Sequence, residues 1–248
     1  MSVLYILWLR QIKRYFRSRA RLIGSLGQPI LFLVALGYGI GPIFEKAGGG
    51  NYIQFLAPGI IGMGIIFTAI FSGIEVIWDK QFGFLKETLV APVSRTQIMV
   101  GRTLGGATVA TLQGVLVFVI AVLIGFRPVS VAAIIPALVI MFLVAIVFTA
   151  LGTAIASKLE DMQGFQLIMN FLVMPLFFLS GALFPLEGLA AGIKTVATLD
   201  PLSYGIDGLR GLLVGVYHFG IGTDFAVLVG LSIIFVGIGS YFFKKIQI

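Results

Sequence analysis

The chain has 248 residues, 59% hydrophobic and only 11% charged, with a mean hydropathy of +1.09 and a net charge of +7. A soluble domain carries about a quarter charged residues, so a soluble globule is excluded and an integral membrane protein is indicated. The absence of cysteine rules out disulfides, thiolate metal sites and cysteine nucleophiles, and a single histidine, His218, leaves little for metal or triad chemistry.

At the N-terminus, Leu4, Trp8, Ile12 and Tyr15 recur at helical spacing, with Arg10, Lys13, Arg14 and Arg17 on another face. The pattern predicts an amphipathic helix over about 3–18, lying in the headgroup layer with Trp8 and Tyr15 at the interface. Such a helix is either a topology anchor or a lever that touches a cytoplasmic partner. Six apolar runs follow, each near the 20 residues or so that a membrane helix needs. They are Leu22–Gly41, Ile53–Trp78, Ile98–Ile124, Val131–Ala156, Phe165–Leu183 and Phe225–Phe243. The runs are continuous, whereas a transmembrane barrel would show alternating segments of about ten residues. The first run has no A-x-A site after it, so it is expected to be retained as a span.

Thirteen of the 17 Lys and Arg fall in the N-terminal arm, after the second and fourth runs and at the C-terminal end. The other side holds four: Lys46, Arg127, Lys194 and Arg210. The positive-inside rule places the richer side, and both termini, in the cytoplasm. The positive charge therefore anchors the chain in a membrane, and no nucleic-acid partner is expected.

Within the second run, Thr68, Ser72, Glu75 and Asp79 are spaced i, i+4, i+7, i+11 and form one polar stripe. A charge at mid-membrane costs at least about 2.5–3.5 kcal/mol, less for Glu75 near the inner end. Two readings stand: a snorkelling or salt-bridged carboxylate, paired with Lys80 or an arginine of the arm, or a polar relay. In the next loop Phe82, Leu85 and Leu89 are spaced i, i+3, i+7. They predict a short amphipathic helix over Phe82–Val90 whose apolar face needs a partner's groove. Pro92 ends it, and Ser94 caps the following helix.

Gln163, Gln166 and Asn170 make a polar face at the start of the fifth run, followed by Phe171, Met174, Phe177 and Phe178. Phe67 and Phe71 face together on the second. Such side chains serve packing or binding alike. Gly101 and Gly105 form a G-x-x-x-G match of little weight among 32 glycines. No G-x-x-x-x-G-K-[ST] occurs, so no phosphate-cradling loop for ATP is expected in this chain, and no G-x-S-x-G occurs either.

Gly83-Phe84-Leu85-Lys86-Glu87 followed by Ala91-Pro92-Val93-Ser94-Arg95 resembles the loop signature of type 2 ATP-binding-cassette exporter permeases, in particular the drug-resistance branch typified by the daunorubicin exporter permease. The run Gly101-Arg102-Thr103-Leu104-Gly105-Gly106-Ala107 also fits. Leu179-Ser180-Gly181-Ala182-Leu183-Phe184-Pro185-Leu186, with Leu199-Asp200-Pro201-Leu202-Ser203-Tyr204 and Asp207-Gly208-Leu209-Arg210, is similar to that family's fifth span and outer re-entrant helices. Two positions depart: Asp200 stands where Asn is usual, and Gln81 where an acidic residue is common. The resemblance covers essentially the whole chain.

It implies an all-α integral membrane fold with six transmembrane helices, an N-terminal interfacial helix and a cytoplasmic coupling helix at about 82–90. It also implies a re-entrant external segment at 184–213. Phe82, Leu85, Lys86, Glu87, Leu89, Pro92, Ser94 and Arg95 would couple to a nucleotide-binding ATPase subunit, present in two copies. ATP and Mg would be bound there, and this chain would be a non-enzymatic transport subunit without a cofactor of its own. A second permease copy or a paralogue would complete the assembly. A cavity at the dimer interface, between the second and fifth spans, would be walled by Phe67, Phe71, Asn170, Phe171, Met174, Phe177 and Phe178. Such a wall suits a bulky lipophilic substrate. The expected function is multidrug export across the cytoplasmic membrane by alternating access, with Thr68, Ser72, Glu75 and Asp79 as the relay. Lipid-linked glycan and sodium are alternative cargoes. The rivals are a stand-alone carrier or channel, and a non-transporting scaffold. A carrier is expected to hold midplane ionisable residues, and only Glu75 qualifies, at the edge.

Overall fold

The computed structural model describes residues 3–90, 93–186 and 190–246, apart from the side chains of residues 20, 21, 86, 89 and 90. All of its regular structure is helical: α1 Val3–Arg17, α2 Arg19–Lys46, α3 Tyr52–Phe71, α4 Ile74–Gln81, α5 Phe84–Val90, α6 Arg95–Ile124, α7 Ile134–Lys158, α8 Met162–Leu179, α9 Ala191–Leu199, α10 Pro201–Val214 and α11 Ile221–Lys244. Six helical segments are long and apolar enough to cross a membrane: α2 from Leu22, α3 with α4, α6, α7, α8 and α11. They match the six predicted runs to within a few residues. The expected outer segment contains two helices, α9 and α10.

Local chemistry explains where the helices begin. Asn51 Oδ1 accepts from the N–H of Ile53 and Gln54 ahead of α3. Ser94 and Gln97 form a reciprocal capping box at the start of α6, as expected of Ser94. Asp161 accepts from Gln163 and Gly164 at α8. Asp200 accepts from Leu202 N–H at 2.9 Å, with Pro201 in the first turn of α10. Burial pushes the Asp200 carboxyl up to about 7, against the pull of that N–H.

α3 is the central helix, packed by α2, α6, α7 and α10. The outer helices carry their large apolar side chains outward: Ile23, Leu31 and Ile43 on α2, Leu167 and Phe171 on α8, Ile233 and Ile234 on α11. Only lipid or another apolar surface makes such an exterior stable. The second run proves to be two helices. At the break, Gly73, Glu75 and Val76 donate to the carbonyls three residues back, at Ile70, Ser72 and Gly73, which tightens one turn. The break lies where Gly73 and Gly152 of α7 bring two backbones into contact.

α1 packs along α6, and Trp8 and Tyr15, expected at the interface, both face that helix. Leu7 sits over Gly101, and Gln11 with Trp8 over Gly105. The two glycines leave a groove on α6 that lets a second helix approach closely, so the G-x-x-x-G match has a structural role. Trp8 Nε1 donates to Thr108 Oγ1 at 3.0 Å, and Tyr15, 2% exposed, donates to Gln113 Oε1 at 2.7 Å. Both side chains turn inward because polar partners on α6 satisfy them there.

At the opposite end of the bundle from α5, Arg210 of α10 donates to the carbonyls of Gly181 and Phe55 and stacks over the Phe55 ring at 4.0 Å. Asp207 gathers the N–H groups of His218, Phe219 and Gly220. These buried contacts fasten α10 to α3, to the end of α8 and to the turn before α11.

Candidate functional site

Two features on the arginine-rich side of the helices converge on α4. The first is an ionic junction. Asp79, 3% exposed, receives Arg102 of α6, itself 4% exposed, and Arg10 of α1 at 3.0 Å. One turn up, Glu75 pairs with Arg14 of α1 at 3.6 Å. The expected pairing of Glu75 with an arginine of the arm is therefore observed. Lys80 goes elsewhere: its Nζ donates to the carbonyls of Ala156, Ser157 and Leu159 and caps the end of α7. One short helix with two carboxylates thus ties α1 to α6.

The second feature is a cavity of about 380 Å³ directly above the junction. α1 contributes Gln11 and Tyr15, α2 Ser25 and Gln28, and α8 Gln166. The α3–α4 segment contributes Phe67, Thr68, Phe71, Ser72 and Glu75. The Phe67 and Phe71 rings stack at 6.2 Å, and Phe165 meets Phe71 edge-on. Ser25 and Tyr15 both donate to Gln113 Oε1, holding the polar wall. The lining pairs two flat apolar faces with amides, hydroxyls and one carboxylate. That chemistry accommodates an amphiphilic organic molecule at the small end of the usual pocket range, about 300–1,000 Å³.

Of the expected relay, Thr68, Ser72 and Glu75 reach the cavity, while Asp79 lies beneath it in the junction. Of the expected wall, only Phe67 and Phe71 line this cavity. α8 buries the stripe Phe165, Met169, Val173, Phe177, so Phe177 is a packing residue, edge-on to Phe32 at 6.5 Å. Asn170, Phe171 and Phe178 occupy the exposed face of α8, Phe171 at 83% exposure, and Met174 is half-buried.

The described residues of the expected coupling segment fall on α5 and at the ends of α4 and α6. Helix α5 begins at Phe84, after Gly83 turns the chain at φ +78°, a backbone angle that favours glycine. Phe82 therefore caps α4 and lies outside α5. Leu85 is fully buried against its own chain and is not offered to a partner; Phe82, Phe84 and Glu87 are exposed. Ser94 is consumed as the cap of α6. Arg95 Nη1 donates to the carbonyls of Lys244 and Ile246, closing the end of α11. Pro92 and the side chains of Lys86 and Leu89 lie outside the described residues.

The charge pattern places Arg102 with the cations after the second run, and nothing in it singles out Gln113. Each is a polar interruption of an apolar run, which was the available signal. Their partners, 23 and 98 residues away in Asp79 and Tyr15, leave no trace in local pattern.

Six apolar helices, with a partly polar cavity and an ionic junction on the arginine-rich side, fit a multi-pass membrane transport protein. The chain belongs to the ABC-2 type transporter family, whose profile matches residues 2–214. It is 28% identical over 213 residues to nodulation protein J of Rhizobium leguminosarum bv. trifolii, covering 85% of this chain and 78% of that protein. It is 30% identical to the putative transport permease ycf38 of Porphyra purpurea, covering 81% and 70%. Its identity to the inner membrane transport permease YadH of Escherichia coli K12 is 27%, covering 92% and 90%. It is thus a transport permease of the kind that forms the membrane subunit of ATP-binding-cassette exporters, and the family implies an ATP-binding partner subunit.

Proposed function

We propose that this chain is the membrane subunit of an ATP-driven exporter of drug-like amphiphiles in the cytoplasmic membrane, with both termini cytoplasmic. Two copies, or one with a paralogue, pair with two nucleotide-binding subunits that bind ATP and Mg. The observation that carries the reading is the continuity from α5 to the cavity. Only Phe82 and Gly83 separate α5 from α4, and α4 holds Asp79 and Glu75. A push on the exposed Phe84 and Glu87 by a closing ATPase moves α4. Its carboxylates then drag α1 and α6, two walls of the cavity, and the access of the cavity switches.

The test is the ATPase activity of the chain purified with its cognate ATP-binding subunit. Lipophilic compounds are expected to stimulate the complex, and F84A/E87A to lower that stimulation about tenfold, as removal of an anchoring contact does. Transport by the lone chain in liposomes, with no ATPase co-purifying, would make it a carrier or channel instead. Glu75→Gln is expected to leave the complex assembled and to cut transport about tenfold, the scale of a lost coupling interaction. Normal transport by this variant would remove Glu75 from the relay and leave it a structural partner of Arg14.

A second cargo reading rests on the amides of Gln11, Gln28 and Gln166 with the hydroxyls of Ser25 and Thr68. These suit the hydroxyl-rich head of a lipid-linked glycan. Stimulation by such a glycolipid, competing with the lipophilic compounds, separates the two cargoes.

A further inference from the structure

Outside the cavity, an open groove of about 570 Å³ runs along α11 where that helix packs against α6 and α7. Its lining changes with depth. Lys244, in the last turn of α11, stands at the mouth. Thr96, Ser240 and Tyr241 follow within about one turn. Val100, Val236, Gly237 and Ile233 come next, with Ile146 and Ser232 innermost.

Three helices agree on this direction. Arg95, the first residue of α6, donates to the carbonyl of Lys244, the last of α11. Lys158, the last residue of α7, stands over the Phe242 ring of α11 at 5.0 Å. These three helix ends therefore lie together, and the groove runs from them into the spans. Lys244 and Ser232 are 12 residues apart, which is about 18 Å of helix. That is slightly more than one leaflet, half of a hydrocarbon core about 30 Å thick.

The mouth is cationic. Lys158, Lys244 and Lys245 are exposed there, and none has a carboxylate partner among the described residues. Lys245 donates to the Tyr241 hydroxyl, and an ammonium has two further protons to give. Deeper in, the groove is open. Ile233 is 71% exposed, and a Cβ on Gly237 would meet nothing within 4 Å. A trough one leaflet deep, apolar within and cationic at the membrane boundary, matches a phospholipid with its head outward and its chain inward. A net negative head gains more from such lysines than a zwitterionic one, which brings its own cation.

We propose that this groove holds an anionic phospholipid of the leaflet on the arginine-rich side, with its phosphate at Lys244 and Lys245 and an acyl chain laid over Gly237 between α6 and α11. The lipid touches three spans at once and braces α11 against α6 and α7.

Phosphatidylglycerol and phosphatidylcholine, each with the same diazirine-bearing acyl chain, are compared in vesicles of unlabelled phosphatidylcholine that contain the full-length chain. After illumination, the cross-linked peptides are mapped by mass spectrometry. Residues 232–241 are expected to be labelled about tenfold more by phosphatidylglycerol, the scale of two surface cations acting on one anionic head. K244Q/K245Q is expected to bring that ratio to within about twofold. K13Q, on α1 away from the groove, is expected to leave it unchanged. G237F fills the trough and is expected to abolish the preference. Native mass spectrometry of the unmodified chain with the same two headgroups gives an independent reading should the variants fold poorly, with phosphatidylglycerol adducts expected to persist longer. Equal labelling by the two lipids overturns the proposal, as does a preference that survives K244Q/K245Q or G237F. Loss of the labelling when the ATP-binding subunit or a second copy of the chain binds also overturns it and assigns the groove to that protein.

Discussion

Asp79→Ala is expected to destabilise the protein by about 3–5 kcal/mol, the cost of leaving one member of a buried ion pair behind. Arg102 is almost fully buried in α6, and Asp79 is its only carboxylate partner among the described residues. Arg10 reaches the same carboxylate from α1, but its side chain is 40% exposed. Arg10→Ala is therefore expected to cost no more than about 1 kcal/mol. The double variant D79N/R102M removes both buried charges together, and such replacements are often close to neutral. It is expected to regain most of the stability lost in Asp79→Ala. Thermal unfolding in detergent, followed by size exclusion, measures all three. Under the proposed mechanism, the double variant folds and binds its ATP-binding partner but no longer couples ATPase to transport. Native stability in Asp79→Ala would show that the junction contributes nothing to the fold.

Gly73→Ala is expected to cost about 2–3 kcal/mol, near the top of the usual range for overpacking. A Cβ at Gly73 would stand 2.5 Å from the carbonyl oxygen of Gly152 and 2.6 Å from its carbon. Both are backbone atoms of a long helix and have no rotamer into which to retreat. A Cβ at Gly152 would press equally on the carbonyl of Ile70. Gly73 has φ −61°, which alanine adopts freely, and alanine favours helix over glycine by about 1 kcal/mol. Any loss therefore reports the α3–α7 contact alone. Gly237→Ala on α11, where nothing lies within 4 Å, is the control and is expected to be neutral or slightly stabilising. A neutral Gly73→Ala would mean that the two helices can separate without cost.

The six spans and the cap at Ser94 rest on interactions within a few residues. Hydrophobic run length and side-chain-to-backbone bonds are local, so sequence alone determines them, and with them the membrane class. The salt-bridged state of Glu75 was legible for a related reason: a carboxylate in an apolar run needs a cation, and the arm supplies four on one face. The rest required the tertiary structure. An amphipathic helix has the same pattern whether lipid or protein covers its apolar face, so the seat of α1 on Gly101 and Gly105 could not be read. The same ambiguity turned Leu85 inward and made Phe177 a packing residue, because periodicity marks a face without naming what it meets. Arg102 on Asp79 and Tyr15 on Gln113 join residues far apart in the chain. Such pairs depend on how whole helices cross, and only the assembled fold decides which buried polar group satisfies which.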